Sequence, residues 1–94
     1  MIYVYMIKNE HKNLYIGIAN NPIKRLANHN ARHGAQYTKT GTFYIVFLEQ
    51  YSTLAQARKR EIQIKKWRRD KKEKLIQLYR EGKETRMLVI KRSC

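Results

Sequence analysis

One segment constrains the fold more than any other, because every position from Phe43 to Leu48 is aromatic or aliphatic. In a β-strand alternate side chains point to opposite faces, so both faces of this strand are apolar. A strand with two apolar faces is usually covered on both sides, which predicts a central strand in a small sheet. We expect residues 43–51 to form that strand, and a chain of 94 residues to form one domain around it.

Two more strands are predicted nearer the N-terminus, over residues 2–7 and 14–19, where β-branched and aromatic residues are frequent. The polar residues 8–13 between them predict a hairpin loop. Asn21 and Pro22 then predict a helix start, because an asparagine side chain can accept a hydrogen bond from the first free N–H groups and proline suits the first turn.

Three helices complete the prediction. The first covers residues 22–32 and buries Ile23, Leu26, Ala27 and Asn30, and residues 32–42 form a loop. The second begins after a Thr53 cap and ends near residues 67–69, and the third covers residues 70–80 and ends at a glycine, residue 82. The predicted order is ββαβαα, an α/β (α+β) fold with a small three-stranded antiparallel sheet flanked by helices.

The predicted domain covers residues 1–82, and residues 83–94 form a C-terminal tail in which residues 87–90 are a short strand or a docked segment. The chain carries 21 Lys and Arg against 7 Asp and Glu, a formal charge of +14. Such an excess favours an anionic partner: nucleic acid first, with an anionic membrane surface or an acidic protein as alternatives. No apolar run approaches the roughly 20 residues of a membrane span. Cys94 is the only cysteine and cannot form an internal disulfide, so we expect a cytoplasmic protein that does not enter the membrane.

Tyrosines form the first candidate site. Tyr3 and Tyr5 share a face of the first predicted strand, and Tyr15 shares a face of the second with Gly17. If the strands pair, Tyr5 and Tyr15 lie side by side, and the missing side chain of Gly17 leaves room beside them. The alternative is that these are half-buried aromatic residues of the kind that strands favour.

Arg25 and His29 lie four residues apart, on one face of the first predicted helix. An arginine offers a fork of donors for a phosphate, and a histidine can transfer a proton near neutral pH. A solvated basic helix face is the alternative.

Glu61 lies near the inner side of the second predicted helix and is surrounded by bases. A carboxylate in that position needs a paired cation or a metal ion. One carboxylate fits Mg²⁺, which takes its remaining ligands from water and phosphate. An internal salt bridge to Arg58, Lys65 or another base is the alternative.

A basic run follows, with Trp67 among its charges, either in the core or stacked on a base. Its members are Arg58, Lys59, Arg60, Lys65, Lys66, Arg68, Arg69, Lys71, Lys72 and Lys74. A helix that is basic only for solubility would usually mix both signs, so this run favours nucleic-acid binding.

In their order along the chain, these residues resemble the GIY-YIG nuclease domain. Residues 3–5 (Tyr-Val-Tyr) stand where that family has its first tripeptide, and residues 15–17 (Tyr-Ile-Gly) match the second without a change. Arg25, His29 and Glu61 fall where the family has an arginine, a histidine and a metal-binding glutamate. Residues 34–39 and 61–67 resemble the small stand-alone bacterial members, and the family also includes the excinuclease of DNA repair and homing endonucleases.

The resemblance implies an endonuclease that hydrolyses phosphodiester bonds of DNA, or of RNA, with one Mg²⁺ or Mn²⁺ ion. Glu61 would hold the metal, Arg25 would stabilise the transition state, and Tyr15, helped by His29, would accept the proton of the attacking water. Tyr5 and Tyr37 would position phosphate or water.

The expected nucleic-acid contacts are Lys39, Arg58, Lys65, Lys66, Arg68, Arg69, Lys71 and Lys72. Relatives commonly join this domain to a separate DNA-binding domain, so a partner protein that supplies substrate specificity is a further expectation. The alternative function is a non-catalytic nucleic-acid-binding module with the same fold.

Overall fold

The computed structural model describes residues 1–36 and 42–85, and within residues 31–36 it describes the backbone. The elements are β1 (Ile2–Lys8), β2 (Leu14–Ala19), α1 (Pro22–Gln36), β3 (Tyr44–Tyr51), α2 (Leu54–Lys65) and α3 (Arg69–Arg80). The predicted order ββαβαα and the α+β class with a three-stranded antiparallel sheet are confirmed. Tyr37, Lys39 and residues 86–94 lie outside the described residues.

The sheet has the order β2-β1-β3, with both neighbouring pairs antiparallel. The prediction that β3 is the central strand was therefore wrong, since β1 occupies the centre. Tyr44 is 50% exposed and Leu48 is half-buried, so one face of β3 is only partly covered. Apolar residues on both faces reflected the preference of aromatic and β-branched residues for strands, not a central position.

The hairpin between β1 and β2 is organised by Asn9, whose side chain is buried. Its Oδ1 accepts hydrogen bonds from the backbone N–H of His11 at 3.1 Å and of Asn13 at 2.9 Å. Lys12 adopts a left-handed conformation with φ of 66°, which closes the turn. This loop fixes the β1–β2 register in which Tyr5 pairs with Gly17.

The hydrophobic core lies between one face of the sheet and the helices α2 and α3. Trp67 is 7% exposed, which confirms its place in the core. The fully formed cluster comprises Val4, Met6, Phe47, Ala57, Ile64, Trp67, Leu75 and Ile76. Because side chains alternate along a strand, Tyr3 and Tyr5 of β1 point to the opposite face.

Helix α1 begins as predicted, with Asn21 Oδ1 accepting a hydrogen bond from the Lys24 N–H at 3.1 Å, but it continues to Gln36 into the predicted loop. Its buried side was partly mispredicted: Ile23 is 71% exposed and Ala27 is also exposed. The inward residues are Pro22, Leu26, His29 and Asn30. This set has the same spacing of three and four, rotated around the helix, so spacing alone could not choose between the two.

Helix α2 ends at Lys65, earlier than predicted, because the N–H groups of Lys66 and Trp67 turn to the carbonyls of Gln63 and Ile64. That turn directs the Trp67 ring into the core. The predicted Thr53 cap is confirmed, its side chain accepting from the Gln56 N–H at 3.2 Å.

Helix α3 ends at Arg80 as predicted, and Gly82, whose φ is 74°, follows its C-terminus. The N–H groups of Gly82 and Lys83 bond to the carbonyls of Tyr79 and Leu78, the usual arrangement around a glycine that ends a helix. Over the described residues, no helix is both long and apolar enough to cross a membrane.

Candidate active site and nucleic-acid interface

The sheet face opposite the core carries the tyrosines that the sequence singled out. Tyr5 pairs with Gly17 across β1 and β2, and Ile7 pairs with Tyr15. A Cβ atom built on Gly17 would lie 2.6 Å from the hydroxyl oxygen of Tyr5, which is closer than side chains approach. The phenol of Tyr5 therefore lies over Gly17, and a larger residue at position 17 would displace it.

Tyr15 projects from the edge strand β2 and is 53% exposed. Its ring centroid lies 6.0 Å from that of His29 and 5.3 Å from that of Phe43. His29 packs edge-on against Phe43 at 4.8 Å. The three rings form one cluster in which Tyr15 and His29, given a shared role only by the family resemblance, lie in contact, with the Tyr15 ring open to solvent.

Asn30 holds α1 against the sheet at this cluster. Its amide donates to the Phe43 carbonyl at 3.0 Å and accepts from the Phe43 N–H at 2.9 Å. This pair of bonds fixes the start of β3 relative to the His29 turn of the helix. The sequence placed Asn30 on the inner side of α1 but gave no sign of its partner, which is 13 residues away along the chain.

Arg25 lies one turn before His29 on α1 and is exposed. Within the two described ranges, its guanidinium has no carboxylate at ion-pair distance. An exposed arginine one helical turn from a histidine that packs against an exposed tyrosine can bind a phosphate oxygen.

Glu61 has its side chain 8% exposed and lies between two bases of its own helix. Its Oε1 lies 3.4 Å from Arg58 and its Oε2 lies 3.2 Å from Lys65. The alternative named from the sequence, a salt bridge to these residues, is therefore present in the structure. The two bases are 58% and 54% exposed, so the pairs lie at the solvent boundary.

Glu61 is the one metal ligand predicted from the sequence. In the part of the chain that the structure describes, no three His, Cys, Asp or Glu residues come together as a metal cage. A single carboxylate that borders solvent fits Mg²⁺ or Mn²⁺ completed by water and phosphate, and it does not fit a dedicated all-protein site.

Sequence reasoning missed a buried ion pair next to Glu61. Arg60 was counted with the basic run, but it is 5% exposed. Its guanidinium binds both carboxylate oxygens of Glu49, at 2.9 and 3.1 Å, and donates to the Thr85 carbonyl at 2.9 Å. Its charge also lies 5.2 Å from the centre of the Trp67 ring. Arg60 is therefore part of the interior and not of a nucleic-acid surface.

The predicted nucleic-acid contacts within the described residues differ in whether a carboxylate already pairs with them. Lys66, Lys71 and Lys72 have no carboxylate at ion-pair distance within residues 1–36 and 42–85, so their charges are available to a ligand. Arg68 lies 3.9 Å from Asp70, a weak pair at an exposed position. The bases already engaged by carboxylates are Arg58, Lys65 and Arg69.

Glu73 connects α3 to the β1–β2 hairpin. It binds Lys8 at 3.0 Å and Arg69 at 2.8 Å, and Arg69 also donates to the Lys12 carbonyl at 2.7 Å. Burial raises the pKa of Glu73, but the hydrogen bonds and charges of Arg69 and Lys8 together outweigh it and hold this pKa below its ordinary value. These contacts fix the hairpin loop beside the basic start of α3.

The family model described as the GIY-YIG catalytic domain matches residues 1–74. A UPF0213 protein of Staphylococcus haemolyticus is 41% identical over 80% of this chain and 93% of its own length. One from Staphylococcus saprophyticus is 41% identical over 79% of this chain and 92% of its own length. The solution NMR structure of a UPF0213 protein from Bacillus halodurans superimposes with a TM-score of 0.56 at 27% identity, covering 96% of this chain and all of that one.

Proposed function

Because this chain belongs to the GIY-YIG catalytic domain family, we propose that it is an endonuclease that hydrolyses phosphodiester bonds with one divalent metal ion. DNA is the first substrate class, and RNA is the second. The family match concerns the catalytic domain, and it supports a nuclease more strongly than any one residue does. The relatives carry names that state no activity.

One observation carries the proposal: Tyr15 is exposed, its ring adjoins His29, and the exposed Arg25 lies one helical turn away. A chain that needed only positive charge for binding would gain nothing from a tyrosine and a histidine in contact. The same sheet face carries the Tyr5 phenol over Gly17, so hydroxyl groups from both tripeptides lie on it.

Each residue then has a role in hydrolysis by in-line attack on a backbone phosphate. Arg25 stabilises the negative charge that develops on the phosphate oxygens in the transition state. Tyr15 accepts the proton of the attacking water as its own hydroxyl proton passes to His29 beside it. Tyr5 orients water or phosphate through its hydroxyl group.

Glu61 is the residue that would hold the metal ion. When bound, a divalent ion polarises the phosphate and neutralises the leaving oxygen. Lys66, Lys71 and Lys72, whose charges are not neutralised by described carboxylates, would hold the backbone on either side of the cleaved bond.

The second candidate is a nucleic-acid-binding module without cleavage. It is favoured by the pairing of Glu61 with Arg58 and Lys65, because a carboxylate that is already neutralised needs no metal. Both candidates predict salt-dependent binding, and cleavage separates them.

The test is a cleavage screen with Mg²⁺ or Mn²⁺ against branched, nicked, single-stranded and double-stranded DNA and matched RNA. Arg25→Ala is expected to reduce the cleavage rate by about 100-fold or more, the usual effect of losing one transition-state donor. Binding of the same variant should fall only a few-fold, as for any single phosphate contact.

Lys24→Ala is the matched control, since Lys24 is the neighbouring exposed base on the same helix. It should weaken binding about as much as Arg25→Ala and leave the cleavage rate at saturation near that of the unmodified chain. If no substrate is cleaved while all variants still bind, the binding module is the function. Equal losses of cleavage in both variants would reduce Arg25 to a backbone contact.

A further inference from the structure

The carboxylate of Glu61 is held from both ends of its helix turn. Arg58, one turn earlier, is nearest to Oε1, and Lys65, one turn later, is nearest to Oε2. Each oxygen of the proposed metal ligand thus already faces a cation. A divalent ion that binds this carboxylate would be brought next to two positive charges.

The side chains of these two bases are able to move away from Glu61. The side chains of Arg58 and Lys65 are long, are 58% and 54% exposed, and each make one ion pair with Glu61. Glu61 is buried, but its two cationic partners are screened by water, so each contact contributes less than a fully enclosed ion pair would. Arg60, between them in sequence, cannot exchange in this way, because it is 5% exposed and bonded to Glu49 and the Thr85 carbonyl.

We propose that Arg58 and Lys65 exchange partners when the site is loaded. Without metal they neutralise Glu61, and with a divalent ion on Glu61 they turn to the phosphates of the nucleic acid. This inference rests on the proposed function and extends it to regulation. It makes metal binding and nucleic-acid binding mutually dependent, because each ligand removes what would otherwise oppose the other.

The reason is electrostatic. A phosphate that attracts Arg58 and Lys65 leaves Glu61 as an uncompensated carboxylate with 8% of its side chain exposed. The affinity of Glu61 for a divalent cation is then higher. A metal ion on Glu61 in turn repels both bases and frees them for phosphate. A metal ion alone pairs only with Glu61, and nucleic acid alone pairs only with Arg58 and Lys65. When both are bound, each of the three charged side chains has a partner of opposite charge.

The test measures binding, not cleavage. A fluorescein-labelled DNA duplex is titrated with the intact chain at fixed ionic strength, in chelator and in Mg²⁺, and a gel verifies that the duplex stays whole. For the unmodified chain, Mg²⁺ should tighten binding by about five-fold or more, the lower range of usual couplings. Ordinarily Mg²⁺ competes for phosphates and weakens such binding.

Glu61→Gln frees both bases permanently. In chelator it should bind the duplex more tightly than the unmodified chain, with a salt dependence steeper by about one unit for each new phosphate contact. Mg²⁺ should then weaken its binding. Asp70→Asn makes the same change in net charge within the basic run but breaks only a 3.9 Å pair, so it should retain the tightening by Mg²⁺.

A second pair of variants keeps Glu61 in place. Arg58→Ala with Lys65→Ala should abolish the gain from Mg²⁺, whereas Lys59→Ala with Lys66→Ala should weaken binding and retain the gain. The exchange is overturned if Mg²⁺ weakens binding of the unmodified chain as much as that of Glu61→Gln, or if Asp70→Asn matches Glu61→Gln in chelator. Cleavage without this coupling would refute the exchange alone, and absence of nucleic-acid binding would refute the proposed function with it.

Discussion

Two buried carboxylates, Glu49 and Glu61, form ion pairs with bases of α2, and their surroundings differ. Glu49 and Arg60 have side chains 1% and 5% exposed and form a two-point ion pair. Glu61 is also buried, but its partners Arg58 and Lys65 are more than half exposed and each makes one contact with it. One pair is enclosed by protein, and the other borders solvent.

The difference shows which group the fold depends on. The Glu49 carboxylate also accepts from the Tyr51 hydroxyl at 2.8 Å, and Arg60 also donates to Gln63 and to the Thr85 carbonyl. Removing one member takes a hydrogen-bond partner from several buried polar groups. At Glu61 the compensating charges belong to two exposed side chains, and water can hydrate these charges when they move away from the carboxylate. The unfolding free energy therefore falls little when Arg58 and Lys65 separate from Glu61.

The largest effect is expected for Arg60→Ala. It leaves the Glu49 carboxylate buried without its ion-pair partner, a defect that costs about 3–5 kcal/mol of unfolding free energy. For a domain of this size that corresponds to a fall in Tm of more than about ten degrees. Thermal and urea unfolding followed by circular dichroism measure it.

Two controls accompany Arg60→Ala. Arg58→Ala removes an exposed arginine from the same helix and should cost under about 1 kcal/mol. The double replacement of Arg60→Met with Glu49→Leu removes both charges and should recover most of the lost stability, because apolar residues of similar volume can replace a buried pair. If Arg60→Ala and Arg58→Ala are equally stable, the enclosed pair has no special structural role.

Glu61→Gln is expected to change stability less and activity more. Its partners are exposed, so the unfolding free energy should change by about 1 kcal/mol or less. Metal-dependent cleavage should be lost, because glutamine keeps the shape but lacks the charge that holds Mg²⁺. The measurements are Tm without metal and cleavage rate with it. A fall of several kcal/mol with cleavage retained would make Glu61 a structural residue.

The sequence predicted the elements well because their signals are local. The polar loop between two β-rich segments, the Asn21 and Thr53 caps and the glycine after α3 each act within a few residues, and all were confirmed. The contact between Tyr15 and His29 was not predicted from spacing, and only the resemblance to a known family gave these two residues a shared role. Long-range position was harder: β3 was expected at the centre of the sheet and lies at its edge.

The three ion pairs made by bases of α2 show what the sequence could not predict about the site. Arg58, Arg60 and Lys65 belong to one basic run, and the sequence does not indicate that Arg60 is the member of these three that is buried. What separates them is the rotation of α2 against the sheet, which brings Arg60 to Glu49, 11 residues earlier in the chain. Sequence spacing gives the relative angle of residues on a helix but not the absolute direction that faces the core.

Glu73 provides an intermediate case and the smallest predicted effect. Its side chain is 38% exposed and forms ion pairs with both Lys8 and Arg69. The side chains of these two bases are 15% and 48% exposed, respectively. Although burial raises its pKa, the bonds from both bases hold the folded-state pKa below the ordinary 4.5. Such a carboxylate stabilises the fold above the unfolded-state pKa and loses that contribution as pH falls through the lower folded-state value.

The difference in unfolding free energy between the unmodified chain and Glu73→Gln should therefore be constant from about pH 7 to pH 5 and shrink as pH falls below about 4.5. Because the group is partly exposed, the full difference should stay near or below about 1 kcal/mol. Urea unfolding at several pH values measures it, with Asp70→Asn as the control for charge. A difference that grows as pH falls would mean that Glu73 is destabilised by its surroundings. A difference that does not change with pH would assign its role to shape, and the hairpin would then be held to α3 by the bond from Arg69 to the Lys12 carbonyl.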